Sequence, residues 1–135
     1  MRFKTALYRC GAVLLFLCAS ASLWSSDTKA PLPEKLLTAK AVYIDNQSGY
    51  QKFADTVYKE LMKWGRFTVV DSADKSDIAL RLEIGYDPDG YDVATLRVVD
   101  RNGAVLWSNS RPWTLLNNGP KKLLADFRKR LTETH

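Results

Sequence analysis

The sequence predicts one α/β domain of the α+β kind: a single mixed β-sheet of about five strands, element order β-α-β-β-β-β-α, with both helices packed on one face. Three observations predict it. Ile78, Leu80, Leu82 and Ile84 alternate with Ala79, Arg81 and Glu83, residues 50–62 repeat apolar side chains at helical spacing, and Asn102-Gly103 falls between two β-rich runs.

Thr38 to Asp45, TAKAVYID, opens the fold. Its consecutive β-formers Val42, Tyr43 and Ile44 predict a strand covered on both faces. Ser48 and Gln51 have capping-box spacing, which predicts a helix start. Tyr50, Phe53, Ala54, Val57, Tyr58, Leu61 and Met62 then form one apolar stripe, read as core packing, and Gly65 ends the helix. Arg66 to Asp71 is a short β run. Ile78, Leu80, Leu82 and Ile84 predict a strand with one buried face, matched across YDPDGY by a strand from Tyr91 to Asp100 with Ala94, Leu96 and Val98 inward. Asn102-Gly103 predicts a tight hairpin turn, because both residues tolerate positive φ. Hairpin parity then turns Val105 and Trp107 inward on the returning strand, Val105 to Ser108. Pro120 suits a first helical turn, and Leu123, Leu124, Phe127 and Leu131 make the stripe of the last helix.

The chain opens with Arg2, Lys4 and Arg9, an apolar run from Cys10 to Cys18, and Ala19-Ser20-Ala21, the three parts of a secretory signal. Residues 1–21 are therefore read as a signal peptide cleaved after Ala21, which places the protein in the periplasm or outside the cell. The alternative is an outer-membrane lipoprotein acylated at Cys18, but Leu17 is bulky for the residue before a lipidated cysteine. Residues 22–36, with Pro31 and Pro33, read as a flexible tether, and 37–135 as one domain. Cleavage removes both cysteines and three of the 20 basic residues, so the formal charge falls from +5 to +2. This does not argue for nucleic acid.

The residue inventory excludes much catalytic chemistry. His135 is the only histidine and no cysteine lies beyond Cys18, so nucleophilic triads and His/Cys zinc sites have no components. No glycine-rich phosphate loop is present. No catalytic residue, metal site or cofactor is assigned, and the chain is read as non-enzymatic. Asp87, Asp89 and Asp92 beside Gly90 partly match a calcium loop, but their spacing departs from it and turn chemistry explains the same residues. Asp45, Asp71 and Asp74 stand at strand ends. Lys121, Lys122, Arg128, Lys129 and Arg130 on the last helix could meet anionic lipid. A solvated face is the simpler reading, and membrane association is not expected once the signal is gone.

Residues 41–84 resemble the TolB amino-terminal domain and its relatives, including the curli-secretion lipoprotein and the lipoprotein activators of penicillin-binding proteins. The matching residues are Val42 to Asp45, Leu61, Gly65-Arg66-Phe67, Val69-Val70, Ser76-Asp77 and Leu80 to Ile84. A family-like hairpin follows at Asp100, Gly103 and Val105 to Ser108, so the resemblance covers about residues 38–132. The chain departs from the family in its lipid cysteine, in having no propeller, and in lacking anything like the curli pore insertions. The resemblance implies an envelope domain that docks other proteins. The expected surface is the sheet face away from the helices, with Arg81, Glu83, Val93, Thr95, Arg97, Val99 and Leu106; the expected partner is an envelope protein. The alternative is a small carboxylate-dependent hydrolase or carbohydrate binder using Asp87, Asp89 or Asp92 with Trp113.

Overall fold

The computed structural model describes residues 30–133 except 115 and 117. The signal peptide, Cys18, most of the tether and His135 lie outside the described residues. The elements are α1 (Glu34–Thr38), β1 (Ala41–Asn46), α2 (Gln51–Trp64), β2 (Thr68–Val70), a 3-10 turn (Ala73–Lys75), β3 (Ile78–Tyr86), β4 (Asp92–Asp100), β5 (Val105–Pro112) and α3 (Gly119–Thr132). The five strands form one mixed sheet in the order β2-β1-β3-β4-β5. β1 runs parallel to β2 and β3, while β4 is antiparallel to β3 and β5.

The two-residue period of β3 and β4 decides which face is buried. Ile78, Leu80 and Leu82 lie opposite Asp100, Val98 and Leu96, and the apolar members of these pairs are buried. They meet Phe53, Val57 and Leu61 of α2 and Leu123, Leu124, Phe127 and Leu131 of α3, so one face of the sheet is closed by helices. Gly65 ends α2 in the left-handed region at φ 72°, its N–H donating to the Leu61 carbonyl at 3.0 Å. That is the conformation only glycine adopts at no steric cost.

Four details differ from the sequence reading. First, the fold begins earlier than residue 37. Pro33 precedes a helical turn, its carbonyl accepts the Leu36 N–H at 3.0 Å, and Leu36 is fully buried in the core. The two prolines punctuate a helix start rather than a tether. Second, no capping box forms. Asn46 Oδ1 accepts from the Ser48 N–H (3.2 Å) and hydroxyl (2.6 Å), Ser48 Oγ accepts from the Tyr50 N–H, and Gln51 donates forward to Asp55 at 3.0 Å. These local bonds hold the loop extended until Gln51. Third, Tyr50, Tyr58 and Met62 flank the α2 stripe and stay exposed, Tyr58 at 47% and Met62 at 57%. Fourth, β1 is not covered on both faces: Val42 is buried, while Tyr43 and Asp45 point to the open side as partners of Ala79 and Arg81.

Both hairpins use one local device, an Asp immediately before a three-residue loop and a glycine at the loop's third position. Asp87 Oδ1 accepts the Asp89 and Tyr91 N–H groups at 3.0 and 2.8 Å. Asp100 Oδ1 accepts those of Asn102 and Ala104 at 2.8 and 2.9 Å. Gly90 and Gly103 have φ of 86° and 82°, and no other residue type has positive φ among those described. The second hairpin is therefore a three-residue loop with one left-handed residue, not a two-residue turn with Asn102 also at positive φ. Beyond the Val99–Val105 pair a β-bulge follows at Val98/Val99, where β5 carries an extra residue.

Asp77 anchors the start of β1. Its Oδ2 accepts the backbone N–H groups of Lys40 and Ala41, both at 2.9 Å. These bonds, that to Ala41 foremost, hold the carboxyl below its usual pKa. Asp100 is lowered in the same way by the Ala104 N–H, with Lys35 donating at 3.2 Å. Because both folded values lie below the unfolded one, this contribution to stability is full above the usual carboxylate range and is lost as pH falls through the folded values.

Candidate functional site: the open face of the sheet

The strand residues out of phase with the core assemble on the face that no helix covers. Arg81 lies beside Asp45 of β1, its Nε donating to Oδ2 at 3.1 Å. One pair along, Glu83 takes an ion pair from Arg97 of β4 at 3.3 Å. Thr95 and Ser110 share a hydroxyl hydrogen bond of 2.7 Å between β4 and β5. The result is a ladder of cross-strand pairs running from β1 to β5. Exposed pairs of this kind contribute only about 0.2–1 kcal/mol each, so they hold the face in order more than they hold the fold together.

At the end of the face nearest the 3-10 turn, the ladder opens into a recess of about 450 Å³. Tyr43, Asp45, Asp74, Arg81 and Arg101 line it, with Val99 among them. Val99 is only 2% exposed although it belongs to the open face. Arg101 donates to the Ser76 carbonyl at 2.8 Å, which joins the β4–β5 loop to the segment before β3.

Six of the seven residues expected on this face are there: Arg81, Glu83, Val93, Thr95, Arg97 and Val99. Leu106 is not. The bulge pairs Val99 with Val105 and Val98 with Trp107, leaving Leu106 as the unpaired residue, packed against the core beside Leu32. The three-residue loop sets Val105 opposite Val99, so Val105, expected inward by parity, is 55% exposed, whereas the extra residue at the bulge returns Trp107 inward, 5.2 Å from the Phe127 ring. Apolar area at the middle of the face is accordingly smaller than expected. Tyr43, Asp45, Asp74 and Arg101 are the residues that sequence reading missed. The first two were discoverable, since Val42-Tyr43-Ile44-Asp45 already alternates in character if Asp45 is read as pointing outward.

The carboxylate alternatives are built differently. Asp87, Asp89 and Asp92 sit at the β3–β4 turn, with Asp87 occupied by backbone N–H groups. The Trp113 ring packs on Tyr50 at 4.7 Å. Asp45 is held by Arg81 and Gln47, and Asp71 by Lys75 at 2.9 Å. Among the described residues no group of three His, Cys, Asp or Glu is placed to hold a metal ion, and no helix is long and apolar enough to cross a membrane.

On the helix side, α3 is bolted to β5 by a pairing that the sequence pattern did not reveal. Arg111 grips Asp126 with two bonds, Nε to Oδ2 at 2.8 Å and Nη2 to Oδ1 at 2.7 Å, and Asn109 adds a third at 2.9 Å. The carboxylate raises the Arg111 pKa above its usual value.

No protein-family model matches the chain, and no curated protein matches it. Among solved structures, the chain is similar to a PelC dodecamer from Paraburkholderia phytofirmans, at 19% identity and a TM-score of 0.45, covering 76% of this chain and 92% of that one. It is also similar to an uncharacterized lipoprotein B from Nitrosomonas europaea, at 14% identity and a TM-score of 0.37, covering 78% and 84%. A minor lipoprotein from Acinetobacter baumannii follows, at 12% identity and a TM-score of 0.35, covering 70% and 82%.

Proposed function

We propose that the protein is a non-enzymatic docking module of the bacterial cell envelope, and that a partner protein seats on the open face of the sheet. The observation that carries this reading is the uncovered face itself: one side of β1, β3, β4 and β5 is closed by helices, and the other presents an ordered array of side chains. The amino-terminal signal read from the sequence supports the compartment, and the TolB-like pattern of residues 38–132 supports docking rather than catalysis. The sequence holds one histidine, His135 at its last position, and no cysteine beyond Cys18, which argues against a Ser-His-Asp or Cys-His site.

Arg81 and Arg97 give the face its handle. Their side chains are 32% and 46% exposed despite their ion pairs, so a partner carboxylate can share either guanidinium without dismantling the ladder. Reversing both, Arg81→Glu with Arg97→Glu, is expected to abolish capture of the partner from envelope extract at moderate salt. Melting should fall by only a few degrees, since reversal turns two attractions of about 0.2–1 kcal/mol each into repulsions of similar size and neither side chain supports the core. Undiminished capture by the folded double variant would place docking elsewhere on the molecule.

A further inference from the structure

We propose that the helical layer is a lipid-facing surface that binds anionic headgroups, leaving the open sheet face turned toward the aqueous compartment. The two layers carry opposite charge. Residues 51–64 and 119–132, the helices α2 and α3, hold eight Lys and Arg against three Asp and Glu, a balance of +5. Residues 41–50 and 65–118, the sheet with its connections, hold six against nine, a balance of −3. Net charge hides this polarity, because the two halves nearly cancel.

The cations are placed to act together. Lys52, Lys59 and Lys63 lie four or seven residues apart on the α2 surface opposite Val57 and Leu61, and all three are exposed. Lys122, Arg128 and Lys129 are exposed on α3, which packs beside α2. Lys52, Lys59 and Lys122 have no ion-pair partner among the described residues, and Arg128 stacks over the Trp64 ring at 5.7 Å, joining the two helices. Tyr58 and Met62 stand exposed on the same helix. An amphipathic ring and an apolar side chain beside lysines suit the headgroup boundary.

The breadth of the basic surface, spread over two helices with Tyr58 and Met62 beside it, suits an extended anionic surface such as a membrane. The Ala30 carbonyl accepts from Arg130 of α3, so the polypeptide enters the fold against the helical layer. An anionic surface attracts the helices and repels the sheet, which fixes orientation as well as attachment.

The test is co-sedimentation of the processed protein with vesicles of phosphatidylcholine alone and of phosphatidylcholine mixed with phosphatidylglycerol. Partition onto the anionic vesicles should exceed that onto neutral ones by at least about tenfold at low salt and converge with it at roughly 0.5 M salt. Lys59→Glu with Lys122→Glu and Lys129→Glu should remove the difference while circular dichroism remains unchanged, because all three side chains are solvent-exposed. The Arg81→Glu, Arg97→Glu protein should keep it. Equal partition onto both vesicle types, or an anionic preference that survives the triple reversal, would overturn the proposal. So would binding to soluble polyglutamate without binding to anionic vesicles, which would assign the surface to an acidic protein.

Discussion

Phe127→Ala is expected to cost about 3–5 kcal/mol, the range for deleting a buried aromatic side chain, and to lower the melting temperature by more than about 10 °C. Phe127 is fully buried and joins every layer of the fold. Its ring stacks on Phe67 at 6.2 Å, meets Trp64 of α2 edge-on at 5.9 Å and lies 5.2 Å from Trp107 of β5. Truncation removes the shared partner of three aromatic rings, and none of the three can fill the hole without leaving its own contacts. Trp107→Ala should cost less, since Trp107 lies half-buried on the edge strand β5. A shift of only a degree or two for Phe127→Ala, read by thermal unfolding, would mean that α3 does not pack as described.

Leu36→Ala is expected to cost about 2–5 kcal/mol by the same measurement. A leucine in a flexible tether would cost nothing to truncate, so this substitution separates the two views of residues 34–38. Leu36 is fully buried in the common core, and neighbouring contacts tie the segment down. Lys35 pairs with Asp100 at 3.2 Å, and Arg66 donates to the Leu37 carbonyl at 3.1 Å. A change below about half a kilocalorie, the ordinary effect of a surface substitution, would return the segment to the tether.

How much of this was legible follows from the range of each signal. The strands β3 and β4 and the stripe of α3 were readable because one buried face writes its period directly into the sequence, as Leu80-Arg81-Leu82-Glu83 shows. Gly65 was readable because its role is local. The faces of Val105 and Leu106 were not, since parity across a hairpin depends on the loop's backbone, and Asn102-Gly103 is compatible with a two-residue turn as well as with the loop adopted. Leu106 and Val105 exchanged faces for that reason alone. Leu36 was hidden by length: a five-residue helix is too short to show a period, and Pro31 and Pro33 read equally as linker punctuation. The site was legible as a face and not as a recess. Six of its residues came from strand alternation, whereas Tyr43, Asp74 and Arg101 reach it from three separate segments that only the sheet order brings together.

The central claim is that a partner protein occupies the open face of the sheet. Side-chain footprinting of the protein alone and in its captured complex, in the absence of lipid, tests it most directly. The account predicts that Tyr43, Glu83 and Arg97 become protected in the complex while Lys59, Tyr58 and Lys129 on the helical layer stay as reactive as in the free protein. Protection of the helical residues with Tyr43, Glu83 and Arg97 left reactive would contradict it.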